Sequence, residues 1–337
     1  MTNARTTATA EDDVRTILAA TVSNLVTKGQ KYALLDFPDH SNVGDSAIFL
    51  GELSLLTSLH GVRPSYVCSM RSHFNDLESV LPDGPIYLHG GGNFGDLWPA
   101  HQSFREAVIR RYPHRKIIQL PQSIHFRQAE ALDQSASIID KHPDFTLLVR
   151  DKESFVLAKE KFACNVLLCP DAAHDLGPLQ RSQEADHPIL CIIRTDSESG
   201  LTPEQIEEVG SYGPLQDWVQ DRPQMKARQD RLVEEIVRKL PISRRVLRPA
   251  LGRVYEKWAQ DRLDRGVSQL SAAEFVITDR LHVHILCRLL GIPHIVFDNN
   301  YGKISRYVDA WPKSELAHVA RNIDDFRKAI DRHLSQQ

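Results

Sequence analysis

Short apolar runs alternate with helical stretches along the chain, and this alternation limits the fold more than any other feature of the sequence. Residues 32–37, 66–68, 86–89, 116–120, 145–149 and 165–169 read as strands. Residues 12–26, with Val14, Ile17, Leu18 and Val22 on one face, and residues 45–59 read as helices between or before them. Repeated strand-helix units predict a mostly parallel sheet covered by helices. A polar stretch at 180–187 then divides the chain, and a further strand at 189–194 opens the second half. Residues 201–225, rich in proline, glycine and acids, are expected to form an irregular loop over the cleft. Helices are expected at 225–240 and 252–270, then a strand-helix-strand unit over 275–297 and a terminal helix over 324–334. The reading is an α/β protein of two Rossmann-like domains, 1–180 and 181–337, facing each other across a cleft. At 337 residues each half is long enough for its own core, with the terminal helix packing back on the first domain.

A net charge of -3 carries no signature of nucleic-acid binding. The five cysteines include no C-x-x-C pair and sit mostly in apolar runs, so free thiols in a reducing compartment are expected. The first thirteen residues are polar and carry acids, unlike a secretory signal, and no apolar stretch approaches the roughly 18 residues of a membrane span. The expected location is cytoplasmic. No Cys/His cluster has metal-ligand spacing. Asp171-Ala172-Ala173-His174-Asp175 reads as a turn, and no metal is expected.

The chemistry-bearing residues gather at strand ends. Arg280, His282 and His284 follow the strand at 275–278, and Lys303 lies beyond the strand at 294–297. Ligands of open α/β sheets bind at the carboxyl ends of strands, where helix N-termini also point. Arg280, His282 and Lys303 are therefore expected to converge on a small anion beside a proton-transfer group; His284 faces away from His282 if Leu281 starts a helix. Arg150 and Arg194 each end a strand, and several cations around one cleft favour a ligand role over surface ion pairs. His89-Gly90-Gly91-Gly92-Asn93-Phe94-Gly95-Asp96 follows a strand, and its glycines admit a close ligand. A tight strand-to-helix turn without a ligand is the lesser reading, and the run matches neither the dinucleotide fingerprint nor a P-loop. Asn42, Gly44 and Asp45 follow the first strand; Asp45 suits a helix N-cap, and all three suit a hydroxyl-binding site at the cleft. His125 is a further candidate at a strand end. Six basic residues and no acid lie between Arg238 and Arg253. They read as a solvated face or as a collar for anionic lipid headgroups.

Taken together, Asn42-Val43-Gly44-Asp45, Gly90-Gly91-Gly92-Asn93, Arg150-Asp151-x-x-Ser154, Cys169-Pro170-Asp171 and Asp279-Arg280-Leu281-His282 resemble the polysaccharide pyruvyl transferase family over about residues 34–307. The resemblance implies a fold similar to that of two-domain (GT-B-like) glycosyltransferases. It also implies transfer of the pyruvyl group of phosphoenolpyruvate to a sugar diol, giving a pyruvate ketal and phosphate with no cofactor. On it, His282 and Arg280 are catalytic, Arg150, Arg194, Arg280 and Lys303 bind the donor, and the second domain is the phosphoenolpyruvate side. Asn42, Gly44, Asp45, Gly91, Gly92, Asn93 and His125 fall on the acceptor side. The implied acceptor is a lipid-linked oligosaccharide at the inner face of the membrane. Two other reaction classes are open. Gly44-Asp45-Ser46 and Asp279-x-x-His282 are similar to blocks of GDSL-type ester hydrolases, although Phe94 interrupts the expected Gly-x-Asn-Asp. A nucleotide-sugar glycosyltransferase would use the same fold.

Overall fold

Two parallel sheets account for the alternation. A computed structural model of the protein describes residues 3–72, 74–194, 199–218, 232, 235, 244–300 and 302–335. The first sheet contains β1 (Ala33–Leu35), β2 (Tyr66–Cys68), β3 (Ile86–Leu88), β4 (Gly91–Gly95), β5 (Ile117–His125), β6 (Phe145–Val149) and β7 (Asn165–Leu168). Its order is β2-β1-β3-β5-β6-β7, with β4 paired to β5 off that path. The second sheet contains β8 (His187–Ile192), β9 (Leu215–Gln216), β10 (Ala273–Thr278), β11 (His294–Phe297) and β12 (Ala317–Ala320), ordered β12-β11-β10-β8-β9. Every pairing is parallel, and β1, β3 and β6 are buried along their whole length, as helix cover on both faces requires.

Each sheet reverses its winding once. From β1 the chain steps outward to β2 and then back past β1 to β3; from β8 it steps to β9 and then back to β10. At such a reversal neighbouring connections leave in opposite directions and open a crevice beyond the strand ends. The segments that follow β1, β3, β8 and β10 all contribute to one cleft of about 470 Å³.

The halves are packed more intimately than two domains separated by a linker. One apolar core runs through both, from Val14, Leu34 and Leu56 to Leu190, Tyr255 and Leu286. The long helix Arg244–Ser271 belongs to the second half by sequence but lies on the first. Its Tyr255 ring stacks on Phe37 at 4.2 Å, and Arg262 and Arg265 donate to the carbonyls of Pro38 and Ser41. The terminal helix Ile323–Leu334 does not return to the first half as expected. Its buried stripe of Phe326, Ala329 and Ile330 covers the exposed face of the second sheet beside Phe275 and Phe297. The N-terminal helix Asn3–Ser23 does part of the bridging instead, with Glu11 held by His174 and Arg288.

Three other expectations change. Residues 201–225 are not wholly irregular: Thr202 and Gln205 form a capping box on the helix Pro203–Gly210, and β9 follows. The glycine-rich run is not a turn but forms β4, docked on a β5 strand whose register shifts around Pro121. Arg248, in the basic run, is buried, with its guanidinium on Asp76 and over the Tyr66 ring, so it is not part of a lipid-facing collar. Of the rest of that run, Arg238 and Lys239 lie outside the described residues, as do the helix expected at 225–240 (Leu232 and Glu235 apart) and the side chains of Arg244 and Arg245. No helix of the described residues is long and apolar enough to cross a membrane.

Candidate active site

The floor of the cleft is the first turn of the helix Val43–His60. Asn42, not Asp45, is its N-cap: the Asn42 side chain accepts the Gly44 N–H at 2.9 Å, which leaves Asp45 in the first turn facing the cleft. Burial alone would raise the Asp45 carboxyl. The positive charge of His40, His282, His89 and Lys303 outweighs this and holds it below the usual carboxylate range. His282, in the first turn of the helix Leu281–Leu290, lies directly over Gly44. A Cβ at residue 44 would sit 2.4 Å from His282 Nδ1, so the imidazole occupies its position only because residue 44 has no side chain.

On its other side, His282 Nε2 lies 3.5 Å from Asp171 Oδ2, and the same oxygen accepts from Arg150 Nη1 at 2.5 Å. Burial alone would raise the Asp171 carboxyl, but His282 and Arg150 hold it well below the carboxylate range. Asp171 also caps the short helix Ala172–Leu176 through Ala173 N–H, which fixes its backbone. Arg150 is fully buried; its Nε donates to Ser123, while its second terminal nitrogen, Nη2, has no hydrogen-bond partner among the described residues. That nitrogen points at Gly92. A Cβ there would lie 3.0 Å from Arg150 Nη2 and 2.8 Å from Lys303 Nζ, so two cations converge on the cleft wall where a glycine exposes the backbone.

Asn93 stands next in the wall. Its side-chain oxygen accepts from Arg105 Nη2 and Gln122 Nε2, both at 2.8 Å, so its amide NH₂ is the group turned to the cleft. The fully buried Arg105, pushed by burial down to about 10, is held by Gln119 and Gln102 as well. Opposite, the Arg194 N–H donates to Asp279 at 2.8 Å, and the Arg280 guanidinium binds Asp217 at 2.6 Å. Asn299 accepts the Lys303 N–H, and its own buried Nδ2 has no partner among the described residues.

The cleft thus brings together Asn42, Asp45, Gly92, Asn93, Arg194, Arg280, His282 and Lys303. Arg150 and Gly44 lie immediately behind it, and Gly91, at φ 115°, packs on Ile48. His125 lines a separate recess of about 20 Å³ with Asp151 and Arg306. His284 is turned away and bonded to His294. Sequence reasoning assigned no role to Asp171, Asn299, Trp98, His101 or Trp218. Asp171 stood in a recognised motif, whereas the others reach the cleft only through tertiary packing. The hydrolase arrangement is absent: Ser46 is fully buried with its hydroxyl on the Asn42 carbonyl, and the carboxylate beside His282 is Asp171, not Asp279.

Three comparisons bear on this cleft. Residues 42–301 match the family model described as polysaccharide pyruvyl transferase. The chain is 35% identical over 316 residues to "Pyruvyl transferase 1" of Schizosaccharomyces pombe, covering 89% of this chain and 75% of that protein. It is 32% identical over 295 residues to "Putative pyruvyl transferase EpsO" of Bacillus subtilis, covering 86% and 87%. A solved structure of a functionally uncharacterised protein from Klebsiella pneumoniae shares the fold, with a TM-score of 0.59, 18% identity and coverage of 92% and 98%.

Proposed function

Because the chain belongs to the polysaccharide pyruvyl transferase family, we propose that it moves the pyruvyl group of phosphoenolpyruvate onto a diol of a saccharide, forming a pyruvate ketal and releasing phosphate. The observation that carries the donor assignment is the convergence of Arg150 Nη2 and Lys303 Nζ on Gly92, beside the His282–Asp171 pair. A guanidinium and an ammonium with Arg194 and Arg280 nearby suit a small trianion, since charge-assisted bonds to carboxylate and phosphate are the strong ones. The same cations offset charge as the phosphate departs. His282, held between Asp171 and the Gly44 floor, is placed to protonate the methylene carbon. Asp45 and the Asn93 amide, which line the same cleft, suit acceptor hydroxyls.

Ligand-linked stability tests the donor. At 100 times its dissociation constant, phosphoenolpyruvate is expected to add about 2.7 kcal/mol to folded-state stability. In Gly92→Ala the new methyl displaces the Lys303 ammonium and crowds Arg150 Nη2, and that thermal shift should shrink sharply or disappear. A shift from a nucleotide-sugar and none from phosphoenolpyruvate would overturn the reading. Ser46→Ala, by contrast, is expected to keep transfer activity within about twofold, since its buried hydroxyl bonds the Asn42 carbonyl and a distant Arg262 donor rather than the cleft; loss of activity would revive an ester-hydrolase reading.

A further inference from the structure

A second histidine-carboxylate pair lines the same cleft from the first half of the chain. His101, on the first turns of the helix Pro99–Arg111, directs Nδ1 to Asp36 Oδ2 at 2.9 Å. An ionised Asp36 only accepts, so Nδ1 carries the proton and Nε2 keeps its lone pair. No bond from the described residues takes that lone pair, and His101 is part of the cleft lining, so Nε2 is the nitrogen left for a ligand.

Asp36 is held for this purpose. It ends β1 at the first sheet's reversal of winding, and it is the one non-glycine residue with positive φ, 71°, among the described residues. Aspartate is among the few non-glycine residues that adopt this left-handed backbone, and residues held there recur at functional sites. Its other carboxylate oxygen is buried without a hydrogen-bond partner among the described residues. A buried carboxylate with its bond directed to a cleft histidine is poorly explained by packing alone.

The neighbourhood is suited to a sugar. Trp98, whose carbonyl accepts the His101 N–H, lines the cleft with half its surface exposed. It is the one aromatic among the exposed large apolar side chains of the described residues. An aromatic face with a polar edge is a fitting platform for a pyranose ring.

Building on the function proposed above, we propose that His101 is a catalytic base for the acceptor, oriented by Asp36, with Trp98 as the platform that presents the sugar hydroxyls to it. The proton inventory explains why a second histidine is useful. The diol gives up two hydroxyl protons in all: one is matched by the proton that turns the donor's CH₂ into CH₃, and the other leaves on phosphate as HPO₄²⁻. As the first hydroxyl oxygen bonds C2, His101 Nε2 takes its proton, and the C2=C3 pair takes a proton at C3 from His282. Phosphate then leaves with the C2–O electron pair and with the proton that His101 holds, and the freed Nε2 takes the proton of the second hydroxyl as its oxygen bonds C2. His282 regains a proton by exchange with the solvent or with His101, so no other reactant is consumed.

The test measures phosphate release from phosphoenolpyruvate with a panel of p-nitrophenyl hexopyranosides, in wild type, His101→Gln, Asp36→Asn and Trp98→Ala. His101→Gln should lower kcat by about 10²- to 10⁴-fold and remove the acid limb of its pH profile, while the phosphoenolpyruvate-induced thermal shift persists. Asn tolerates left-handed backbone, so Asp36→Asn keeps the fold but removes the acceptor charge that orients His101, and kcat should fall while the phosphoenolpyruvate-induced thermal shift persists. Trp98→Ala should raise the acceptor KM with little change in kcat. A His101→Gln enzyme with wild-type kcat and an unchanged acid limb would overturn the assignment. A wild-type enzyme with no thermal response to phosphoenolpyruvate and no phosphate release with any glycoside would overturn the donor reading as well.

Discussion

His282→Gln is expected to lower kcat by about 10²- to 10⁴-fold while the protein still folds and phosphoenolpyruvate still stabilises it. Glutamine nearly matches the reach of imidazole and keeps a donor toward Asp171, so the pair loses its titratable group but not its packing. The four cations around the donor are untouched, so affinity for phosphoenolpyruvate should change little. The pH profile of kcat separates this from a structural effect. An acid that must be protonated produces a basic limb, and that limb should vanish in His282→Gln while the acid limb persists. Transfer at a wild-type rate would remove His282 from the chemistry.

Asp171→Asn is expected to cost about 3–5 kcal/mol of stability, because it strips the partner from a fully buried Arg150 and leaves an uncompensated charge. Asparagine can still cap the short helix through Ala173 N–H, so the loss reports the charge pair rather than the cap. The sign with pH follows from the depressed carboxyl. Asp171 contributes its stability fully above the unfolded carboxylate value, about 3.9, and loses it as pH falls toward the lower folded value. The gap between wild type and Asp171→Asn in urea midpoints should thus be constant from pH 5 to 8 and narrow only in stronger acid. A gap that narrows between pH 8 and 6 would assign the stability to another group. Since Asp171 also sets the position of His282, kcat should fall in the same variant.

Much of this fold was legible because parallel strands buried on both faces leave apolar runs that a local pattern detects. Strands at 145–149 and 294–297 and the helix over 281–290 lie where their composition predicts them. What failed were the features decided by packing. Gly91–Gly95 has almost no intrinsic strand preference and is a strand because Gln122 holds Asn93 and β5 shifts its register beside it. The helix Ile323–Leu334 covers the second sheet beside Val209 of the helix Pro203–Gly210, a placement that an amphipathic stripe alone does not reveal. The helix Pro203–Gly210 did carry a local signal, Thr202 three residues before Gln205, but the surrounding glycines and prolines masked it. At the site, charged residues at strand ends were readable from spacing alone. The carboxylates that orient the two histidines were not: Asp36 and Asp171 lie 65 and 111 residues away from their partners in sequence, and only the reversal of the sheets brings them close.

The core shared by the two halves has a consequence for how substrates are captured. In a jaw-like enzyme, two lobes swing together on their ligands, and part of the binding energy is spent on the swing. Opening this cleft by such a motion would pull Tyr255 away from Phe37 and tear a continuous oily seam, bringing water to side chains that are now dry. The cleft therefore works as a fixed mould, its cations and histidines cast in place before either substrate arrives, and a sugar that does not match its contour is refused at the entrance rather than after closure.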